Sequence, residues 1–174
     1  MSVRHCAISD FLGKADFQRR DQNDAFCGSN SVYRHYYLAG GGSSVEIVDV
    51  VTLDAILSEL GWPRIDFLKL DVEGSEVPAL RGASDAMSRA AIRMIQIEYN
   101  QTWIKARTSL EDVFDICHKT GYQLYRILAK GLMSFEEYHY LLDDFVYANM
   151  LLVAPGSQLP LPVRKNTVPS FKSL

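Results

Sequence analysis

Ile65-Asp66-Phe67-Leu68-Lys69-Leu70-Asp71-Val72-Glu73-Gly74-Ser75-Glu76 is the stretch on which the fold turns. A short, mostly apolar run ends abruptly in acids and a glycine, and a helical pattern follows. An apolar run of this length between breakers predicts a buried strand. Strands covered on both faces are typical of parallel sheets. In open parallel sheets, ligands bind outside the carboxyl ends of the strands, and Asp71 and Glu73 fall at such an end. Gly74 lets the backbone turn sharply, because it has no Cβ to clash. Ser75 is the expected N-cap of the next helix. The same residues also suit a bland role, closing a strand and opening a helix, and the spacing leaves both readings open.

Downstream, residues 76–87 read as a helix with Val77, Leu80 and Ala83 inward. Pro78 is tolerable in a first turn, and Gly82 weakens the helix or marks its break. Residues 92–98 read as a second buried strand ending in Glu98-Tyr99-Asn100. If parallel to the first, it brings Glu98 to the same edge as Asp71 and Glu73. Trp103 and Ile104 follow and either wall a pocket or cover the core. Ser109 and Asp112 have the spacing of a capping box for a helix whose inner face is Leu110, Val113, Phe114 and Cys117. Gly121 stops it, and His118 near its end reads as a surface residue favoured by the helix dipole. Residues 122–128 and 145–154 read as strands. The polar-aromatic connection between them, which contains His139, lacks a convincing crossover helix, so the two are expected to be antiparallel.

Upstream, residues 45–51 alternate and are β-branched, as in a strand. Thr52 is the expected cap of a helix over 53–60 with Leu53, Ile56, Leu57 and Leu60 on one face. Gly61 and Pro63 end it. Residues 3–8 and 15–18 read as short strands, with Asp10 in the turn between them. Residues 19–44 are polar and irregular, with Tyr33, Tyr36 and Tyr37 interleaved with Arg34 and His35. Such a segment either lines a substrate entrance or is an exposed insertion. Gly40-Gly41-Gly42 precedes a strand pattern, so it reads as a turn. The reading is thus one α/β domain over residues 1–154, followed by a tail over 155–174 rich in Pro, Ser, Lys and Arg.

Composition excludes several classes. With 174 residues and 48% hydrophobic content, the chain is long enough for a real core. A net charge of -3 gives no electrostatic case for nucleic acid. No apolar run approaches the about 20 residues that span a bilayer, and the first residues contain no signal-peptide core. Cys6, Cys27 and Cys117 form no CxxC pair, which is simplest in a reduced, cytoplasmic setting.

The opening stretch, followed by Ala79-Leu80-Arg81-Gly82-Ala83, resembles the signature of the FkbM family of S-adenosylmethionine-dependent methyltransferases. Val51-Thr52-Leu53-Asp54 and Ala7-Ile8-Ser9-Asp10 resemble two further family stretches in the same order. The resemblance implies a Rossmann-like sheet, mostly parallel, that ends in a C-terminal antiparallel hairpin. It implies S-adenosylmethionine as cofactor, with Asp10 near the adenine amino group and Asp71 also cofactor-binding. A small-molecule acceptor with a sugar, lipid-like or other hydroxyl follows from it too. The family's glycine-rich strand–turn–helix is not visible ahead of Ala7. The chain is therefore expected to be truncated at its amino end and to start at the third strand of the family fold.

Methyl transfer needs aligned donor and acceptor, and a group to take the acceptor's proton. Asp71, Glu73 and Glu98 are the candidate catalytic acids. Lys69, if covered in its strand, needs a partner for its charge. Two other readings stand beside this one. A non-catalytic remnant would expose strand edges, which invite pairing with a partner chain or a second copy. Alternatively, the strand-end acids would bind Mg²⁺ through oxygen, although no metal motif accompanies them and no metal site is assigned.

Overall fold

A computed structural model describes residues 3–20, 31–32, 43–159 and 161–165. The expectations for Gly40-Gly41-Gly42, the clustered tyrosines and Cys27 lie outside the described residues. The elements run β1 (Ala7–Ile8), β2 (Gly13–Arg20), β3 (Ser43–Val51), α1 (Leu53–Glu59), β4 (Leu68–Leu70), α2 (Glu76–Arg81), α3 (Ser84–Ser88), β5 (Met94–Tyr99), α4 (Thr102–Ala106), α5 (Leu110–Thr120), β6 (Gln123–Leu128), β7 (Gly131–Ser134), β8 (Ala148–Val153) and β9 (Val163–Lys165). The class is α/β, with two mixed sheets. One has the order β1-β3-β2 and the other β4-β5-β8-β6-β7-β9.

The expected mostly parallel sheet gives way to one whose central pairings are antiparallel. β4 and β5 are parallel. β8 inserts between β5 and β6 and is antiparallel to both, and β7 folds back on β6 as a hairpin. The inference that β6 and β8 pair antiparallel holds. Because both neighbours oppose β8, β4, β5 and β6 run in one direction, and their carboxyl ends share an edge. Two short strands escaped the sequence reading. β7 lies within the connection read as irregular, and β9 lies in the expected tail, parallel to β7.

The apolar run that ends at Asp71 is less buried than its composition suggests. β4 covers only Leu68–Leu70, Phe67 is half exposed, and Lys69 faces solvent. β4 is an edge strand among those described, so only its Leu70 side meets the core. β5 is the better-covered strand. Ile95, Ile97 and Tyr99 are buried, while Met94, Gln96 and Glu98 alternate onto the more open face. The core joins those residues to Leu53 and Leu57 of α1, Val77 and Leu80 of α2, Met87 of α3, Val113 and Phe114 of α5, and Met150 and Leu152 of β8.

Local signals set most boundaries. The Thr52 hydroxyl accepts from the Ala55 N–H at 3.1 Å and caps α1. Asp112 accepts from the Ser109 N–H at 2.9 Å and closes the α5 capping box. The 76–87 helix is broken at Gly82 into α2 and α3. A Cβ there would lie 2.1 Å from the Ser9 carbonyl oxygen, so glycine admits the chain just past β1. The Gly82 carbonyl accepts from the Asp54 N–H at 2.9 Å. The Asp54 carboxylate in turn accepts from the N–H groups of Asp85 and Ala86, both at 2.9 Å, at the start of α3.

Candidate active site

β4 and β5 are in register, with Leu68 beside Ile95 and Leu70 beside Ile97. The residues at their carboxyl ends therefore meet. Asp71 follows β4 directly, and Glu98 lies at the penultimate position of β5. Glu73 sits on the tight turn between β4 and α2, with φ of 51° followed by 100° at Gly74. Carboxylate oxygens of Asp71, Glu73 and Glu98 lie within 4.8 Å of one another. The three acids singled out in the sequence thus form one cluster.

Their protonation differs by environment. Lys69 Nζ donates to Asp71 Oδ2 at 2.6 Å, and that bond, with help from Glu98, holds the Asp71 carboxyl below its usual range. Burial pushes Glu73 up, and the neighbouring Glu98 and Asp71 charges add to the effect. Burial is also the largest cause raising Glu98, which in addition donates toward Asp71 when protonated. One acid is thus held as an anion, and another keeps a proton to higher pH. Environments that separate neighbouring carboxyls in this way assign acid and base roles. A cluster of oxygens this close also has the spacing to share a divalent cation.

Two residues the sequence reading passed over complete the cluster. Glu76 is fully buried. Its Oε1 accepts from the Val72 N–H and its Oε2 from the Gly74 N–H, each at 2.9 Å. Ser75, expected to cap α2, makes no side-chain capping bond. Tyr147 faces Glu98 and lowers its proton affinity by hydrogen bonding. Asn149, directly opposite Glu98 in the β5–β8 ladder, donates to the Tyr147 hydroxyl at 3.4 Å. Gln96 donates to Asn149 at 2.7 Å. The signal for Glu76 was present as a second acid just past the glycine. The signal for Tyr147 was not, because it depends on strand pairing.

The remaining candidates fall elsewhere. Asp10 is exposed beyond β1, in the other sheet, where the Ser9 hydroxyl donates to it at 3.3 Å. Trp103 is fully buried and donates to the Glu98 carbonyl at 3.0 Å, so it covers the core and ties α4 to the end of β5. Ile104 is exposed. His139 Nδ1 accepts from the Leu141 N–H at 3.2 Å, and His118 stacks edge-on against Phe114. Cys117 is pushed up to about 12 by burial, which leaves it a packed, unreactive thiol. A cleft of about 670 Å³ between α5 and the β6–β7–β9 edge, lined by Phe114, His118, Gln123, Phe135 and Lys165, contains none of the three acids.

A family model described as the methyltransferase FkbM domain matches residues 2–124. The chain belongs to the FkbM methyltransferase domain family. That match takes in the parallel pairs β1–β3 and β4–β5 and all three clustered acids. The AMB antimetabolite synthetase AmbE of Pseudomonas aeruginosa is similar over 73 residues at 34% identity. That segment is 41% of this chain but 3% of AmbE, so the chain spans a small fraction of that relative. No solved structure matches the chain. Among the described residues of this FkbM domain, no helix is long and apolar enough to cross a membrane.

Proposed function

We propose that this FkbM domain is a Rossmann-like methyltransferase core that uses S-adenosylmethionine to methylate a hydroxyl of a small-molecule acceptor. The observation that carries the reading is the meeting of Asp71, Glu73 and Glu98 at the shared carboxyl ends of β4 and β5. The donor set fits the cofactor chemically. Clustered carboxylates favour a nearby positive charge such as a sulfonium, and carboxylate oxygens accept from ribose hydroxyls and an adenine amino group. When bound, the cofactor supplies an activated methyl group. Asp71, kept ionised by Lys69, is the fixed anion that holds the cofactor. Asp10 is read as lying on the adenine side, as the resemblance of Ala7-Ile8-Ser9-Asp10 to a family stretch implies.

Glu98 is the base. Its raised carboxyl brings proton affinity closer to the operating pH, where a general base is most effective. It would take the proton from the acceptor hydroxyl, while the methyl group the cofactor would supply passes to that oxygen with its bond to sulfur breaking to leave a neutral thioether. Glu73, on the same rim, orients the acceptor.

Calorimetric titration of the folded chain with S-adenosylmethionine tests the reading. Micromolar binding that weakens in Asp71→Ala, together with methyl transfer lost in Glu98→Ala, supports it. A folded chain that takes up no cofactor sinks it and favours a second reading, for which β4's position at an edge among the described strands speaks. There the domain is a non-catalytic module whose β4 edge pairs with a strand from elsewhere.

A further inference from the structure

We infer that Glu76 is a positioning residue for the acid cluster, clamping the turn that carries Asp71 and Glu73 by two backbone amides. An acid in the first turn of a helix ordinarily lies at the surface and serves the helix dipole. Glu76, in the first turn of α2, is instead fully buried. Burying a carboxyl is costly unless its oxygens are satisfied, and here each oxygen takes a different N–H, from Val72 and from Gly74. Those two amides bracket Glu73.

Between them the backbone is left-handed at a non-glycine residue, with φ of 51° at Glu73. Residues with a Cβ rarely adopt that conformation unless their surroundings impose it. The surroundings are specific. Glu76 holds the N–H on either side, and the Ser31 hydroxyl donates to the Glu73 carbonyl at 2.7 Å. The turn is thereby fixed from two directions, and the Glu73 side chain projects to the rim where it meets Asp71 and Glu98. The charged group acting on Glu76 from outside its own loop is Glu98 of β5, while Asp71 and Glu73 share the loop. Glu76 acts through Asp71 and Glu73, so its functional weight rests on the reading of those acids given above. The clamp itself does not.

The experiment uses full chain labelled with ¹⁵N and ¹³C, comparing the wild type with Glu76→Gln and Glu76→Ala. In Glu76→Gln the Val72 or Gly74 amide proton shifts upfield and exchanges faster, since one acceptor becomes a donor. In Glu76→Ala both do, while core methyl signals from Leu80 and Met87 stay in place. S-adenosylmethionine affinity falls about tenfold in Glu76→Gln, as expected for one lost charge-assisted bond. Unchanged Val72 and Gly74 amides in both variants overturn the inference. Disturbed amides with full cofactor affinity reduce Glu76 to a structural residue and overturn it as well. If wild-type chain binds no cofactor, the proposed function falls while the amide signals still decide the clamp. If neither variant folds, the wild type decides. Its two amide protons must titrate together with the Glu76 carboxyl carbon, and amides that stay flat refute the clamp.

Discussion

Glu76 carries the clearest pH signature in the molecule. Burial pushes its carboxyl up to about 7 against 4.5 for an exposed glutamate, and the Val72 and Gly74 N–H groups offset only part of that. A raised carboxyl means that the folded chain binds more protons than the unfolded chain between those values. Stability therefore declines as pH rises from about 4.5 to about 7, by an amount on the order of 3 kcal/mol. Below that window the contribution is complete, and above it no further loss accrues. Urea melts at several pH values should show this slope in the wild type and a flatter one in Glu76→Gln. Equal slopes would mean that Glu76 is not the titrating group. The base role proposed for Glu98 has its own signature. Methyl transfer should rise with pH through a midpoint above the usual glutamate range, because only the ionised form takes a proton. A Tyr147→Phe change should move that midpoint upward by removing the hydroxyl that favours the anion; a midpoint that moves down, or not at all, argues against Tyr147 as the partner of Glu98. At this scale the sequence was informative where a strand ends. Asp71, Glu73 and Glu98 are adjacent because strands place their last residues predictably, whereas Tyr147 depends on which strand lies beside β5.

Elements whose ends are written in neighbouring residues were legible. Thr52, Ser109 with Asp112, and Gly121 each satisfy or release backbone groups within four positions, so α1 and α5 begin and end close to where the chain says they should. β7 and β9 were not legible, because four and three residues are too few to show a period, and β9 acquires strand geometry only from β7, distant in sequence. β4 shows the converse error. Its apolar run promised burial on both faces, but a strand's exposure is set by its neighbours, and β4 has β5 on one side only among the described strands. The Thr52→Ala variant should lose about 1 kcal/mol, the usual worth of an N-cap; a loss below a few tenths in denaturant melts would show that the Gly82 and Asp54 contacts hold α1 unaided. Gly82→Ala tests the break between α2 and α3. Its φ of -72° accepts alanine, so helix propensity alone favours the change. The new methyl, however, meets the Ser9 carbonyl oxygen, and an overpacked contact with backbone costs about 1–3 kcal/mol. Net destabilisation is expected; a stabilised variant would mean that β1 yields easily.

Across the whole molecule, burial is uneven, and that unevenness dictates how the chain opens. The main core runs unbroken from Leu53 in α1 to Ala154 after β8, with Ile95, Ile97 and Leu152 fully enclosed. The β2–β3 hairpin is anchored at one end, where Val48 and Val50 are buried beside β1. On the opposite face of β3 Val45 and Ile47 are largely exposed, and toward the far end the Arg19–Glu46 ion pair at 3.9 Å between exposed groups adds little. Amides buried in the main sheet have no route to solvent except global unfolding, whereas a hairpin end with few apolar contacts can open alone. Native-state hydrogen exchange in rising denaturant should therefore divide the strands. Amides of Ile95, Ile97 and Leu152 should show the full free energy of unfolding and its full denaturant dependence. Gln18, hydrogen-bonded to the Ser31 carbonyl at 2.8 Å, should exchange at lower free energy with a shallow dependence. Because Ser31 also holds the Glu73 carbonyl, an opening that frees Gln18 loosens one of the two restraints on the acid turn. Exchange at Gln18 that merged with the main-sheet amides at every denaturant concentration would show a single cooperative unit, with the hairpin and the acid turn locked to the core.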